Sequence, residues 1–364
     1  MRVLLLTTDA YGGHGGIALY NRDVVDALAE SSEIDEVVVI PRTLQFPATD
    51  VPGKVRFIAT AAGGKFRFVR AALAAARGHY DLVICGHINL LPLAATLNLK
   101  LGAPLVLMVY GIDVWRRPGS WTRQWLTGVD AVWSISAITR DRMNEWAGLP
   151  ESRFVLLPNA IHEERYGLAK KRTDLMALYR LEGRKVIMTL ARLSRSEAYK
   201  GVDEVLEILP SLIETDPTLI YLVAGDGDDR PRLEAKAAAL GLKDKTIFTG
   251  FVEEKDKADY FRLADAFVMP GRGEGFGFVF LEAMACGVPV VGSLVDGSRE
   301  ALLGGELGGL VDPASQASIR EGILRALARS KTIPHGLTYF SWPYFRLRLD
   351  ATVRSLTVGD GRRQ

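Results

Sequence analysis

Cysteine is almost missing from this chain. Cys85 and Cys286 are the only two in 364 residues, and they lie far apart, which argues against a disulfide framework and suits a reducing compartment. Neither sign of charge is in excess. The formal net charge is +2 with 24% charged residues, so bulk electrostatics does not point to nucleic acid. A long apolar run is missing too. The most apolar stretch, Ile88 to Ile112, is broken by Asn89, Pro92, Asn98, Lys100 and Pro104, and reads as a buried helix and a strand rather than a membrane span. Met1-Arg2 leads into Val3-Leu4-Leu5-Leu6, only strand length, so no signal peptide is expected. No His-Glu-x-x-His or paired-cysteine pattern marks a metal site.

What is present is a repeating alternation of short β-branched runs and helical runs. The length, with 48% hydrophobic residues, suggests two domains with full cores. In the first half the expected strands are Arg2–Leu6, Glu36–Ile40, Lys54–Ile58, Asp81–Cys85, Pro104–Met108, Ala131–Ser134 and Arg153–Leu156. In the second they are Lys185–Leu190, Thr218–Ala224, Thr246–Thr249, Ala266–Met269, Pro289–Val291 and Gly309–Val311. They carry few charges and do not alternate apolar with polar, as expected of parallel strands buried on both faces. Helices expected at Ile17–Glu30, Ala137–Ala147, Val202–Ile213 and Arg232–Leu240 lie between them. The break is expected near the polar stretch Asn159–Glu182. Ligands of open parallel sheets bind outside the carboxyl ends of the strands, which makes a cleft between two such domains the expected site.

The densest functional signal is Glu274-Gly275-Phe276-Gly277-Phe278-Val279-Phe280-Leu281-Glu282. One carboxylate sits in a glycine-rich loop (Gly271, Gly273, Gly275, Gly277); the other falls within an apolar helical run. Such a loop lets backbone N–H groups approach an anion, and the helix behind it adds its positive end. Carboxylates accept hydrogen bonds from sugar hydroxyls, so the pair suits a sugar nucleotide. Arg192 closes the first strand of the second half, and Lys200-Gly201 opens the next helix. Together they suit a diphosphate, set against the ordinary reading of two surface cations, with Arg195 a competitor for either role.

Tyr11-Gly12-Gly13-His14-Gly15-Gly16 follows the first strand. It reads equally as a phosphate loop or as a tight turn, and Arg42 after the second strand keeps a phosphorylated nicotinamide cofactor open. Asp226-x-Asp228 suits a divalent cation, but the nearby cations favour a turn with acids near a nucleoside. His87, Tyr110 and Asp113 follow strands and are candidate sugar or acceptor contacts. Lys54, Arg56, Lys65, Arg67, Arg70 and Arg77 form a basic run without an acid. Within it Phe66, Val69, Leu73 and Ala76 share one helical face. That face either packs inward, the commoner arrangement, or rests on an anionic membrane.

Taken together these residues resemble the retaining, nucleotide-sugar-dependent glycosyltransferases of family 4, and the resemblance runs over nearly the whole chain. It is carried by the glutamate pair within Gly273–Gly287, by Arg192 with Lys200-Gly201, and by Gly15-Gly16. Weaker matches are Gly225-Asp226-Gly227, Ser136 to Arg140 and Pro158-Asn159. The resemblance implies an α/β GT-B fold with two facing Rossmann-like βαβ domains and an interdomain cleft. Residues 1–165 would bind the acceptor and 166–345 the nucleotide sugar, with a helix and tail at 346–364 returning to the first domain. It implies that Arg192 and Lys200 hold the donor diphosphate, Glu282 the ribose and Glu274 the sugar. Phe276, Gly277 and Phe278 would offer backbone N–H groups, and Gly15-Gly16 would approach the diphosphate.

The implied reaction is a metal-independent, retaining hexosyl transfer. Its donor would be a nucleoside diphosphate sugar and its acceptor a glycan or lipid-linked precursor of the envelope or an exopolysaccharide. The expected location is the cytoplasm, at the inner face of the plasma membrane. Two features depart from the family pattern: Tyr110 stands where many members carry histidine, and the stretch from Arg192 to Lys200 is long. A sugar-nucleotide epimerase using His87 and His14, a non-catalytic binding subunit and a nicotinamide-dependent oxidoreductase are the rival readings.

Overall fold

A computed structural model describes residues 1–13 and 15–357. His14 and the tail beyond 357 lie outside the described residues, and so do the readings placed on them. The chain divides into two compact units: Met1–Ala160 with the segment from Trp342 onward, and Ile161–Ser341. The sequence reading set these divisions at 165/166 and 345/346.

Every strand expected from the sequence is present, its ends within two residues of those expected. In the first unit they are β1 (Arg2–Thr7), β2 (Glu36–Pro41), β3 (Val55–Phe57), β4 (Leu82–Gly86), β5 (Leu105–Val109), β6 (Ala131–Ser134) and β7 (Phe154–Leu156). They form one sheet in the order β3-β2-β1-β4-β5-β6-β7, with parallel pairing throughout. The second unit holds β8 (Lys185–Leu190), β9 (Leu219–Ala224), β10 (Thr246–Gly250), β11 (Ala266–Val268), β12 (Val290–Ser293) and β13 (Gly309–Val311). Their order is β10-β9-β8-β11-β12-β13, again all parallel. All residues of β4, β5 and β9 are buried, which is why these segments read as unbroken apolar runs. Each aliphatic side chain withdrawn from water there contributes roughly 1.5–3 kcal/mol.

The longer helices are α1 (Gly16–Glu30), α2 (Lys65–Ala75), α3 (Leu91–Leu101), α4 (Ala137–Ala147), α5 (Val202–Thr215), α6 (Arg230–Ala239), α7 (Lys257–Leu263), α8 (Phe278–Ala285), α9 (Gln316–Leu327) and α10 (Trp342–Thr357). The last returns the chain to the first unit and packs on α1. Phe345 meets Tyr20 edge-on, ring centroids 6.1 Å apart, and Arg346 and Arg354 pair with Glu30 and Glu33 at 2.8 and 2.7 Å.

One expectation about packing is corrected. The inward face of α2 is not Phe66, Val69 and Leu73. It is Phe68, Ala72 and Ala75, continued by Ala76. The small alanines let the helix approach the sheet closely, and the three larger residues are left in solvent at 93%, 39% and 55% exposure.

Candidate active site

In each sheet the strand order reverses once, between β1 and β4 and between β8 and β11. The loops leaving the carboxyl ends at such a point splay apart and open a crevice. In the second unit those loops run from Ala191 to Gly201 and from Met269 to Gly277. The first carries Arg192 and Lys200; the second carries Glu274.

The structure brings these charges together. Lys200 Nζ donates to Glu274 Oε2 at 3.0 Å and lies 3.7 Å from Glu197 Oε2. Arg192 pairs with the other oxygen of Glu197. Burial works against the Lys200 charge, but the Glu274 carboxylate more than offsets it and holds the ammonium above its ordinary pKa. Arg192 remains 71% exposed at its side chain, a guanidinium at the rim beside a half-buried ammonium. The backbone of Glu274 is fixed from behind: its N–H donates to Asp296 Oδ2 at 3.0 Å. Asp296 is 1% exposed, and its other oxygen accepts from the Ser298 N–H and hydroxyl at 3.0 and 2.6 Å. Burial pushes the Asp296 carboxyl up, against the pull of those hydrogen bonds.

Gly277 caps α8 at φ +93°, a conformation that residues with a Cβ rarely adopt. It lets the loop turn sharply so that Phe278 opens the helix. Phe276 tucks inward, edge-on to Phe340 with centroids 5.5 Å apart. Glu282 follows on the same helix and is 3% exposed. Its Oε1 accepts from the Tyr166 hydroxyl at 2.8 Å and from Lys257 Nζ at 3.1 Å. Its Oε2 is buried with no hydrogen-bond partner. Burial opposes the Lys257 charge, while Glu282 and Glu254 raise its pKa overall. Burial and the Glu282 charge push the Tyr166 phenol up, so it stays a neutral donor. The acids after β9 are engaged locally: Asp226 accepts from the Gly227 N–H at 2.8 Å, and Asp228 from the Arg195 N–H at 3.1 Å.

In the first unit Gly15 caps α1 and Gly16 is its first residue. Two hydrogen bonds from Ala10 and Gly12 N–H to Asp9 Oδ1, at 2.6 and 3.1 Å, shape the turn before it. His87 follows β4; its Nδ1 accepts from the Asn89 N–H at 3.1 Å, and burial lowers its pKa, so the ring is neutral at pH 7 with its proton on Nε2. The Tyr110 hydroxyl is occupied: it donates to Asn21 Oδ1 at 2.6 Å and lies 2.9 Å from Gly86 O. This ties β5 to α1 and β4. Asp113 accepts from the Tyr110 N–H at 3.1 Å through one oxygen and buries the other without a partner. Burial pushes its pKa up to about 7.

Sequence reasoning missed Glu197, Tyr166, Lys257 and Asp296. The turn signature Asp296-Gly297-Ser298 marks one of them, and the long Arg192-to-Lys200 stretch is what contains Glu197. Lys257 and Tyr166 reach Glu282 from distant segments and leave no local trace.

Residues 172–333 match the family profile "Glycosyl transferases group 1", and residues 14–165 match "Glycosyltransferase Family 4". The chain belongs to the family 4 type of glycosyltransferase. Among its relatives is the GDP-mannose-dependent alpha-(1-6)-phosphatidylinositol monomannoside mannosyltransferase of Mycolicibacterium smegmatis, 31% identical over 55% of this chain and 53% of that protein. Another is the D-inositol 3-phosphate glycosyltransferase of Geodermatophilus obscurus, 31% identical over 54% of this chain and 46% of that protein. The matched region thus spans about half the length of these relatives. Anabaena HepE, solved in complex with UDP and glucose, aligns over 98% of this glycosyltransferase and 100% of its own chain, with TM-score 0.75 and 20% identity. Sucrose-phosphate synthase from Thermosynechococcus elongatus aligns over 99% and 100%, with TM-score 0.78 and 20% identity. These likenesses establish the α/β GT-B fold expected from the sequence.

Proposed function

We propose that this glycosyltransferase moves a hexose-type sugar, with retained configuration and without a metal, from a nucleoside diphosphate sugar to a glycan or lipid-linked acceptor. The setting is envelope or exopolysaccharide synthesis on the cytoplasmic side of a membrane whose anionic surface the protein touches. One observation carries the reading: Lys200, Arg192 and Glu274 converge at the strand-order reversal of the second unit, on a loop that leads into the helix bearing Glu282. The donor named for the Mycolicibacterium relative and the UDP and glucose held by HepE support it.

In this reading Glu274 and Glu197 hold the two cations in place until a diphosphate takes over their charge. Phe276, Gly277 and Phe278 offer backbone N–H groups at the open end of α8. Glu282 Oε2, buried and unpartnered, accepts from the ribose. In the first unit Gly15 and Gly16 are the candidate phosphate contacts, and His87 and Asp113 the candidate acceptor contacts. The anomeric carbon–oxygen bond to the diphosphate breaks as the acceptor oxygen bonds from the same face. The acceptor's proton passes to the leaving phosphate oxygen, whose charge Arg192 and Lys200 stabilise.

Replacing Glu282 or Lys200 by alanine is expected to abolish transfer, measured as sugar appearing on acceptor, while far-ultraviolet circular dichroism stays that of the parent. Parental turnover by both folded variants overturns the site.

A further inference from the structure

The first unit holds a pocket that the transfer reading does not use. A cavity of about 670 Å³, an ordinary size for a small-ligand site, lies between the end of α3 and the helical turns Ser120–Arg123 and Gln124–Gly128. Its lining includes Leu105, the first residue of β5, and Asp130, just before β6. The cavity therefore sits at the amino ends of these strands. His87 and Asp113 follow carboxyl ends, a strand's length of roughly 13 Å away. Two indoles dominate the wall. Trp121 and Trp125 meet edge to face, ring centroids 6.2 Å apart at 81°, and Trp121 is 66% exposed. Asn98, Gln124 and Thr127 also line the cavity, and no lysine or arginine does. Its one carboxylate, Asp130, accepts the Leu105 N–H at 2.8 Å. Two polar atoms of the wall residues are idle. Trp125 Nε1 and Asn98 Oδ1 are buried without a hydrogen-bond partner, although the Asn98 amide nitrogen donates to Ala103 O at 2.8 Å. Native structures rarely leave such groups unpaired without a reason.

These features select a class of ligand. An anion finds no cation in the wall. An apolar chain leaves the amides and the indole N–H unsatisfied. A sugar ring suits both halves of the lining: the C–H groups of one face meet the negative face of an indole, and the hydroxyls at its edge both donate and accept. We infer that this cavity binds a neutral sugar residue of a glycan, stacked on Trp121 and hydrogen-bonded by Gln124, Asn98 and the Trp125 N–H. The two idle atoms gain their partners as the side chains close on the ring. The site holds its ligand and performs no chemistry. Its purpose, keeping a glycan on the enzyme that extends it, rests on the proposed function; the binding itself rests only on the first unit.

The test is saturation-transfer NMR of the full chain, without nucleotide, against the methyl glycosides of glucose, galactose, mannose and N-acetylglucosamine. The expected result is transfer to the ring C–H protons of at least one of them. Trp121→Ala should weaken that binding about 10-fold or more, as loss of a central tryptophan does. Trp125→Phe, which keeps an aromatic ring and removes the N–H, should weaken it about 5-fold, the worth of one neutral hydrogen bond. Trp121 is largely exposed, so the melting temperature of its variant should match the parent. No transfer to any of the four glycosides, or undiminished transfer in both variants, overturns the proposal. So does transfer to the alkyl chain of octyl glucoside without transfer to its ring, which marks a site for apolar tails. A donor-induced thermal shift measured on the same proteins reports on the second unit and should be the same in parent and variants. Its absence from all of them counts against the transfer reading alone.

Discussion

At the residue scale the site rests on buried charges that each have a compensating partner. Glu282 and Lys257 are 4% and 14% exposed at their side chains; Lys257 also pairs with Glu254 at 2.9 Å, whereas the Glu282 carboxylate depends on the Lys257 charge. Lys257→Met leaves a buried carboxylate with only the Tyr166 hydroxyl, and destabilisation of about 3–5 kcal/mol is expected in denaturant unfolding. Adding Glu282→Gln should recover most of that loss, because a neutral amide needs no counter-ion. Asp113 behaves differently. Its folded pKa of about 7 lies above the ordinary carboxylate value, so its share of stability is full below that ordinary value and is lost as pH rises through 7. Asp113→Asn, whose side-chain oxygen can still accept from the Tyr110 N–H, should therefore raise the melting temperature at about pH 8 and leave it unchanged near pH 4. The gain is on the order of 2–4 kcal/mol at about 1.36 kcal/mol per pKa unit. Glu274, Lys200 and Arg192 stood out in the sequence because each sits beside a strand end or glycine. Lys257 did not, because an ion pair between distant segments has no sequence signature.

At the element scale the strands were legible because burial on both faces removes polar residues from them altogether. The orientation of α2 was not. Its sequence offers two apolar faces, one of Phe66, Val69 and Leu73 and one of Phe68, Ala72 and Ala75. Side-chain size favours the first as a core face; close helix–sheet packing selects the second. The turns at strand ends impose sharper demands. Gly225 follows β9 at φ +130°, and a Cβ there would lie 1.9 Å from the Ala191 carbonyl oxygen. Gly225→Ala must displace the backbone leaving β8, the same segment that carries Arg192. A loss of about 3 kcal/mol or more is expected, read in denaturant unfolding, with weakened nucleotide binding alongside it.

At the scale of the whole molecule the chain makes two units and then crosses back. The two crossings are pinned side by side: the Ile161 N–H donates to the Phe340 carbonyl at 2.8 Å, and Ile161 bridges Ser341. Beyond that point α10 adds Phe345, Leu349 and Val353 to the first unit. Ending the chain at Ser341 removes those buried side chains, roughly 5–9 kcal/mol at most. That is comparable to the whole stability of a domain. The first unit should lose protection in hydrogen exchange while the strands β8 to β13 keep theirs. The repeating strand–helix pattern made both units legible. The position of the return was harder to read, since Trp342 continues directly from the second unit's last turn with no polar linker.

The central claim is that the second unit binds a nucleoside diphosphate sugar through Lys200, Arg192 and Glu282. Its most direct test is thermal unfolding of the full chain with UDP-, GDP- and ADP-sugars. Ligand at about 100 times its dissociation constant adds about 2.7 kcal/mol. The account predicts a rise of several degrees with at least one of these sugars, lost in folded Glu282→Gln and Lys200→Ala. No rise with any of them, or an equal rise in both variants, contradicts it.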